Sequence, residues 1–220
     1  MSGGTRSDLA DLALAGYVNG PDAVVEATNR ALKKIENCET IILVEGISDQ
    51  IAIETLALRQ ERDLDAEGVA VLPIGGAHAV SRYLQRFGPA GEHMDLAGFC
   101  DADAAETFRR GLIKAGVGHP QNADEMADVG FHVCVRDLED ELIRAVGPDQ
   151  VVTVVESQGE FGPFKTFQKQ PEWRGRPLDD QLHRFLGSKA RRSLRYARLL
   201  MSAADLDRVP QPLTAVLDHV

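Results

Sequence analysis

A chain of 220 residues, 44% of them hydrophobic, has material for one compact core with or without helical additions. No apolar run approaches the roughly 20 residues of a membrane-spanning helix, and a net charge of −10 excludes a surface coated throughout for a polyanion. Met1 to Asp8 is Gly/Ser-rich with no apolar stretch behind a basic start, so no secretory signal is expected and the cytoplasm is the predicted compartment. Cys38, Cys100 and Cys134, odd in number and widely spaced, read as free thiols.

Apolar spacing predicts helices over Ser7–Tyr17 and Pro21–Glu36, broken at Asn19-Gly20-Pro21. Thr40–Val44 is apolar and β-branched and reads as a buried strand. Ser48 is placed to cap the helix that follows, with Ile51, Ile53, Leu56 and Leu58 as its apolar residues. A second strand is expected at Val69–Ile74, ending on Gly75-Gly76, then a helix over Ala77–Phe87 stopped by Gly88-Pro89. A third strand, Asp95–Cys100, precedes a helix at about Ala104–Ala115. Gly116–Asp128 reads as a loop, Phe131–Val135 as a fourth strand and Leu138–Val146 as a helix. Strand alternating with helix predicts an α/β fold with a mainly parallel four-stranded sheet and helices on both faces. Beyond Gly147 only helices are expected, over Pro148–Gln158, Pro177–Leu186, Arg192–Ala203 and Pro212–His219. The layout is a helical N-terminal segment (1–38), an α/β domain (39–147) and a helical C-terminal subdomain (148–220).

Charge is distributed unevenly. Between Pro163 and Arg208 there are eleven Lys and Arg against five Asp and Glu, so the acidic excess lies in the rest of the chain. Two readings stand side by side: a basic tail that holds a polyanion against an acidic body, or a tail packed on the body by charge complementarity.

The acidic residues fall at strand ends. Glu45 follows the first strand directly, before Gly46, where the chain is expected to turn sharply off the strand, with Asp49 one helical step later; Asp101-Ala102-Asp103 ends the third; Asp137 and Glu139 follow the fourth. Taken singly, each has a plain structural explanation, as a loop acid, a helix N-cap or a first-turn charge. Together they place several carboxylates where the strands of an open α/β sheet meet, and such a cluster repels itself unless cations neutralise it. Hard oxygen donors of this kind read as a Mg²⁺ or Mn²⁺ site. Gly75-Gly76-Ala77-His78 reads as a plain turn or as a phosphate cradle at a helix N-terminus. The six His show no zinc-ligand spacing, and Trp173 reads as a packing residue or a base-stacking one.

Val44-Glu45-Gly46 with Asp49, and Asp101-x-Asp103 some fifty residues later, resemble the Toprim domain of topoisomerases, primases and several nucleases. With Asp137-x-Glu139 and the basic helical tail, the chain resembles the nuclease half of the OLD (overcoming lysogenization defect) endonucleases, well over about Glu39–Gly147 and loosely outside it. The resemblance implies a Toprim fold and a two-metal site for phosphodiester hydrolysis. Glu45, Asp49, Asp101 and Asp103 match the first metal group, and Asp137 and Glu139 the second. It also implies a basic residue of the C-terminal helices set against the scissile phosphate. Lys189, Arg191, Arg192, Arg195 and Arg198 are the candidates, Lys189 first, with Arg191, Arg195 and Arg198 at spacings that share a helix face. DNA is the implied substrate, with RNA as the alternative, and a third reading is a non-catalytic metal- or nucleic-acid-binding partner. OLD proteins carry an ATPase, whereas no Gly-x-x-x-x-Gly-Lys-Ser/Thr occurs here, so an ATPase is expected to be a separate partner or not needed.

Overall fold

The computed structural model describes residues 11–18 and 20–220. Of the first expected helix, residues 11–13 are helical, and the part before residue 11 lies outside the described residues. In chain order the elements are α1 (Ala23–Ile35), β1 (Thr40–Val44), α2 (Ile47–Arg59), β2 (Val69–Pro73), α3 (Val80–Phe87), β3 (Asp95–Cys100), α4 (Ala105–Ala115), α5 (Ala123–Ala127), β4 (Phe131–Val133) and α6 (Leu138–Val146). Then come α7 (Pro148–Ser157), α8 (Phe161–Gln168), α9 (Leu178–Leu186), α10 (Ala190–Ala203) and α11 (Gln211–Asp218).

The sheet is parallel throughout, in the order β2-β1-β3-β4. From β1 the chain crosses outward to β2, and from β3 it crosses outward the other way to β4. The β1–β3 boundary is therefore the point where the winding reverses, and a crevice opens at the strands' C-terminal ends. Right-handed crossovers in opposite directions put α2 on one face and α4 on the other.

Side chains alternate between the faces. Ile41 and Leu43 of β1 join Ala70, Leu72, Leu96, Cys100 and Phe131 in a core closed by α3 and α4. Ile42 and Val44 join Val69, Val71, Ala97 and Phe99 in a second core under α2 and the C-terminal helices. Gly98 lies between β1 and β4, where a Cβ would sit 2.5 Å from the Leu43 carbonyl oxygen and 2.9 Å from the Phe131 ring. The close approach of three strands at this point requires a glycine.

Four local expectations are corrected. α2 begins at Ile47 with Gly46 as N-cap, and it is the Asp49 carboxylate, not Ser48, that caps by accepting the Gly46 N–H at 2.7 Å. Gly46 itself is extended (φ −143°), so no sharp turn depends on it. The loop expected over 116–128 contains α5, started by Asn122, whose side chain accepts from the Glu125 N–H at 2.9 Å. β4 stops at Val133, after which the Ala102 N–H passes Cys134 and bonds the Arg136 carbonyl at 2.8 Å, while the Val135 N–H donates to the buried Glu141 carboxylate at 2.7 Å. The cysteines are free, and Cys100 and Cys134 belong to opposite cores.

Among the described residues, no helix is long and apolar enough to cross a membrane.

Candidate metal centre

β1 and β3 deliver Glu45 and Asp101 side by side at the reversal of winding. The Asp101 backbone N–H donates to Glu45 Oε1 at 2.9 Å. Burial raises the Glu45 carboxyl above its ordinary value, and the charge of Asp103 adds to this, while N–H groups of Asp101 and Ala77 oppose it. The Ala77 N–H belongs to the loop after β2, so the Gly75-Gly76-Ala77 turn contributes a backbone donor to Glu45. The Gly75 and Gly76 N–H groups bond the Glu45 carbonyl oxygen at 3.1 and 2.9 Å.

Asp49, in the first turn of α2, is 7% exposed. Burial pushes its carboxyl well above the ordinary range, with Asp101, Glu139 and Glu45 reinforcing the shift against the Gly46 N–H. Asp101 is pushed up to about 7, first by burial, then by Glu45, Asp137, Glu139 and Asp103. The acids after three different strands are thus within electrostatic reach of Asp101, as the spacing of the motifs predicts. Asp103 is exposed in the turn that leads to α4.

Asp137 is the N-cap of α6, its Oδ1 accepting from the Asp140 N–H at 2.9 Å. Its Oδ2 meets His183 Nε2 of α9 at 2.6 Å. Burial pushes this carboxyl up, yet the His183 hydrogen bond, the Asp140 N–H and the His183 and Arg136 charges prevail and hold it below its ordinary value. Glu139 Oε1 accepts from the Ser193 hydroxyl of α10. A cleft of about 270 Å³ opens here, lined by Asp137, Glu139, His183, Arg184 and Gly187. A roomier one, about 550 Å³, lies beside the start of β2 between Lys34, Glu54, Arg62 and Asp65 and includes none of the candidate acids.

The donor set fits a hard divalent cation: six carboxylates, with the central ones raised first by burial and then by one another's charge. In the side-chain arrangement seen, however, no three Asp, Glu, His or Cys side chains among the described residues converge on one point. Glu45 and Asp49 are turned toward backbone N–H groups, and Asp137 and Glu139 toward the C-terminal helices. Holding an ion requires some of these carboxylates to turn inward.

The basic residues distribute differently from the helical face expected. Arg192 and Arg195 are buried, their guanidinium groups gathered on the buried Glu160 at the start of α8. Arg192 Nε and Nη2 donate to its two oxygens at 3.1 and 3.0 Å, Arg195 Nη2 also donates, and the Tyr196 hydroxyl joins at 3.1 Å. Arg191 pairs with Asp11, and Arg198 donates to the Ala15 carbonyl at 3.0 Å beside the Tyr17 ring. Lys189, exposed just before α10, is the one of the five with no side-chain partner among the described residues. Pairing with acids within the molecule thus accounts for three of the five, and backbone carbonyls with the Tyr17 ring hold the fourth, Arg198. Trp173 stacks on Phe167 at 5.1 Å and is a packing residue.

Sequence reasoning missed His183 and Glu160. A lone His on a helix and a lone Glu after a Gly give no spacing signal, and only the fold brings them to Asp137 and to the arginines.

Residues 38–103 match the family model described as overcoming lysogenization defect protein-like, TOPRIM domain. Among solved structures the chain is similar to the C-terminal region of the Xanthomonas campestris pv. campestris OLD protein. That likeness has 23% identity over 85% of this chain and 94% of the other, with a TM-score of 0.64. It is similar also to the C-terminal region of the Burkholderia pseudomallei OLD protein, at 20% identity over 83% of this chain and 96% of the other, with a TM-score of 0.61. A search of curated proteins finds no match.

Proposed function

We propose, from the likeness of residues 38–103 to the OLD-like Toprim family, that the chain is a divalent-metal-dependent nuclease that hydrolyses phosphodiester bonds in DNA. One observation carries the reading: acids after β1, β3 and β4 lie within electrostatic reach of one another at the reversal of winding, where burial and then their charges push Asp101 up to about 7.

Glu45, Asp49, Asp101 and Asp103 would hold one Mg²⁺ or Mn²⁺ ion, and Asp137 and Glu139 a second. When bound, such a pair supplies Lewis acidity to both sides of an in-line displacement at phosphorus. The chain's own residues prepare the site. The Asp101 N–H orients Glu45, and the Gly46 N–H orients Asp49, so two carboxylates are fixed on the rigid ends of β1 and α2. Asp101 keeps its proton up to about neutrality and must release it to become a ligand, so ion uptake expels a proton there. Lys189, exposed beside the Ser193–Glu139 contact in sequence, is assigned to the substrate phosphate.

Incubation of supercoiled plasmid with Mg²⁺ or Mn²⁺ tests this, beside an Asp101→Ala/Asp103→Ala double variant. Loss of even an outer partner of a metal ligand costs 10–100-fold, so the double variant is expected to lose roughly a hundredfold or more. Equal cleavage by both proteins overturns the reading. A structured RNA offered alongside separates a ribonuclease from a deoxyribonuclease, and cleavage by this chain alone would show that no separate ATPase is needed. A second reading, a metal- or nucleic-acid-binding partner without turnover, draws on the absence of three converging acids among the described residues. Mn²⁺ binding without cleavage of either nucleic acid would select it.

A further inference from the structure

Asp137 is held at both oxygens before any ion arrives. As N-cap of α6 its Oδ1 is fixed by the Asp140 N–H, and Oδ2 is fixed by His183 Nε2 at 2.6 Å. An ionised carboxylate only accepts, so Nε2 carries the proton in this contact. Each carboxylate oxygen has two acceptor positions, so one remains on each.

The grip comes from one helix face. Asp180, three residues before His183 on α9, lies 3.6 Å from Arg136, so α9 engages the two consecutive residues Arg136 and Asp137. Stability is a poor reason for the contact. His183 and Asp137 keep 19% and 23% of their side-chain surface exposed on the cleft, and ion pairs near solvent add little to folding. What a two-point hold does provide is a carboxylate with its rotamer already fixed, so that ordering is not charged against binding.

We propose that His183 is a positioning residue that presents Asp137 to a divalent ion held with Glu139, so that α9 is part of the second metal position. The proposal rests on the metal-site reading above. Outer-shell partners of metal-ligating groups commonly set affinity by 10–100-fold.

The test is Mn²⁺ titration calorimetry on the whole chain, comparing the natural sequence with Asp137→Ala, His183→Ala and His183→Gln, with thermal unfolding of each. Asp137→Ala is expected to remove one binding event. His183→Ala is expected to weaken that same event by roughly 10–100-fold, leaving the other event unchanged and lowering the thermal midpoint only slightly, as for a contact near solvent. His183→Gln, whose amide can still donate, should recover part of the loss. If Asp137→Ala leaves Mn²⁺ binding intact, the metal-site reading and the proposal fall together. If Asp137→Ala weakens binding while His183→Ala does not, or His183→Ala strengthens it, the proposal alone is overturned. Should His183→Ala fail to fold, His183→Phe, which keeps a ring but no donor, takes its place: affinity lowered by roughly 10–100-fold supports the proposal, and unchanged affinity overturns it.

Discussion

The backbone N–H of Asp101 donates to the side chain of Glu45 at 2.9 Å, so the two strand ends that flank the reversal of winding are joined by the residues that face the crevice. A backbone donor on a carboxylate opposes the desolvation that burial imposes. Here it does so only in part, because Asp103 and the other acids add charge of the same sign. The result is a site that is structurally tied and electrostatically unsatisfied.

That tension has a pH signature. Asp101 is raised from 3.8 to about 7, so between those values the native state binds more protons than the unfolded state, and stability falls as pH rises. His183, raised by its bond to Asp137, contributes stability that is full below 6.5 and lost as pH climbs through its higher native value. The two have the same sign. The thermal midpoint of the metal-free protein is expected to drop as pH rises from about 4 to about 7, and to drop further as His183 loses its proton above 6.5. Asp101→Asn should flatten the profile, and Mg²⁺ should raise the midpoint most at the alkaline end. A midpoint that rises steadily over this range in the metal-free protein would contradict the electrostatic account.

Glu160 pairs with both Arg192 and Arg195 inside the C-terminal helices. Removing one member of a buried ionic group strands the charge that is left, at a cost of about 3–5 kcal/mol. Glu160→Ala is expected to lose about that much in urea unfolding. A cost below about 1 kcal/mol, the range of surface pairs, would mean that water reaches the arginines.

Lys189 and Arg192 separate binding from folding. If Lys189 meets a phosphate, Lys189→Ala should lower the slope of log affinity against log salt by about 1 in nucleic-acid titrations. Arg192→Ala should instead lower the unfolding midpoint and leave that slope as it is for the folded protein. The reverse pattern would restore Arg192 as the contact.

Gly98→Ala places a methyl group against the Leu43 carbonyl and the Phe131 ring. Overpacking costs typically about 1–3 kcal/mol, and the sheet can give only by parting β1 from β3 or β4 from β3. Because the candidate acids hang from these strand ends, Mn²⁺ affinity should fall together with stability. Calorimetry on the folded variant reads this, and unchanged affinity would show that the strand ends tolerate the shift.

The sequence carries those elements whose physics is local. The strand over Thr40–Val44 and the helix over Leu138–Val146 fall where pattern and capping put them. Carboxylates at strand ends are likewise visible, because burial pattern and punctuation are both local signals. α8 is hidden by Gly162 and Pro163, which look like a loop although Pro is tolerated in a first helical turn. The basic residues fail for a different reason. Periodicity states which of them share a face of α10, but the direction of that face is fixed by Glu160 and by the segment at 11–18, partners far away in sequence. The two acids of the last pair are predicted by position, whereas their donors His183 and Ser193 exist only through tertiary packing.

α2 is enclosed almost all round: Ile47, Ile51, Ala52, Ile53, Leu56 and Ala57 are buried, and the core they enter is shared with Tyr196, Leu200 and Met201 of α10. Arg59 at the end of α2 reaches the Met201 carbonyl at 2.7 Å. The sheet and the helices after Gly147 are therefore not a module with an accessory. A chain cut at that glycine would bare an oily flank on the helix that carries Asp49 and would free both acids of the last pair. The smallest piece that can be inherited, expressed or exchanged with its chemistry intact includes the C-terminal helices, whatever boundary a family description draws.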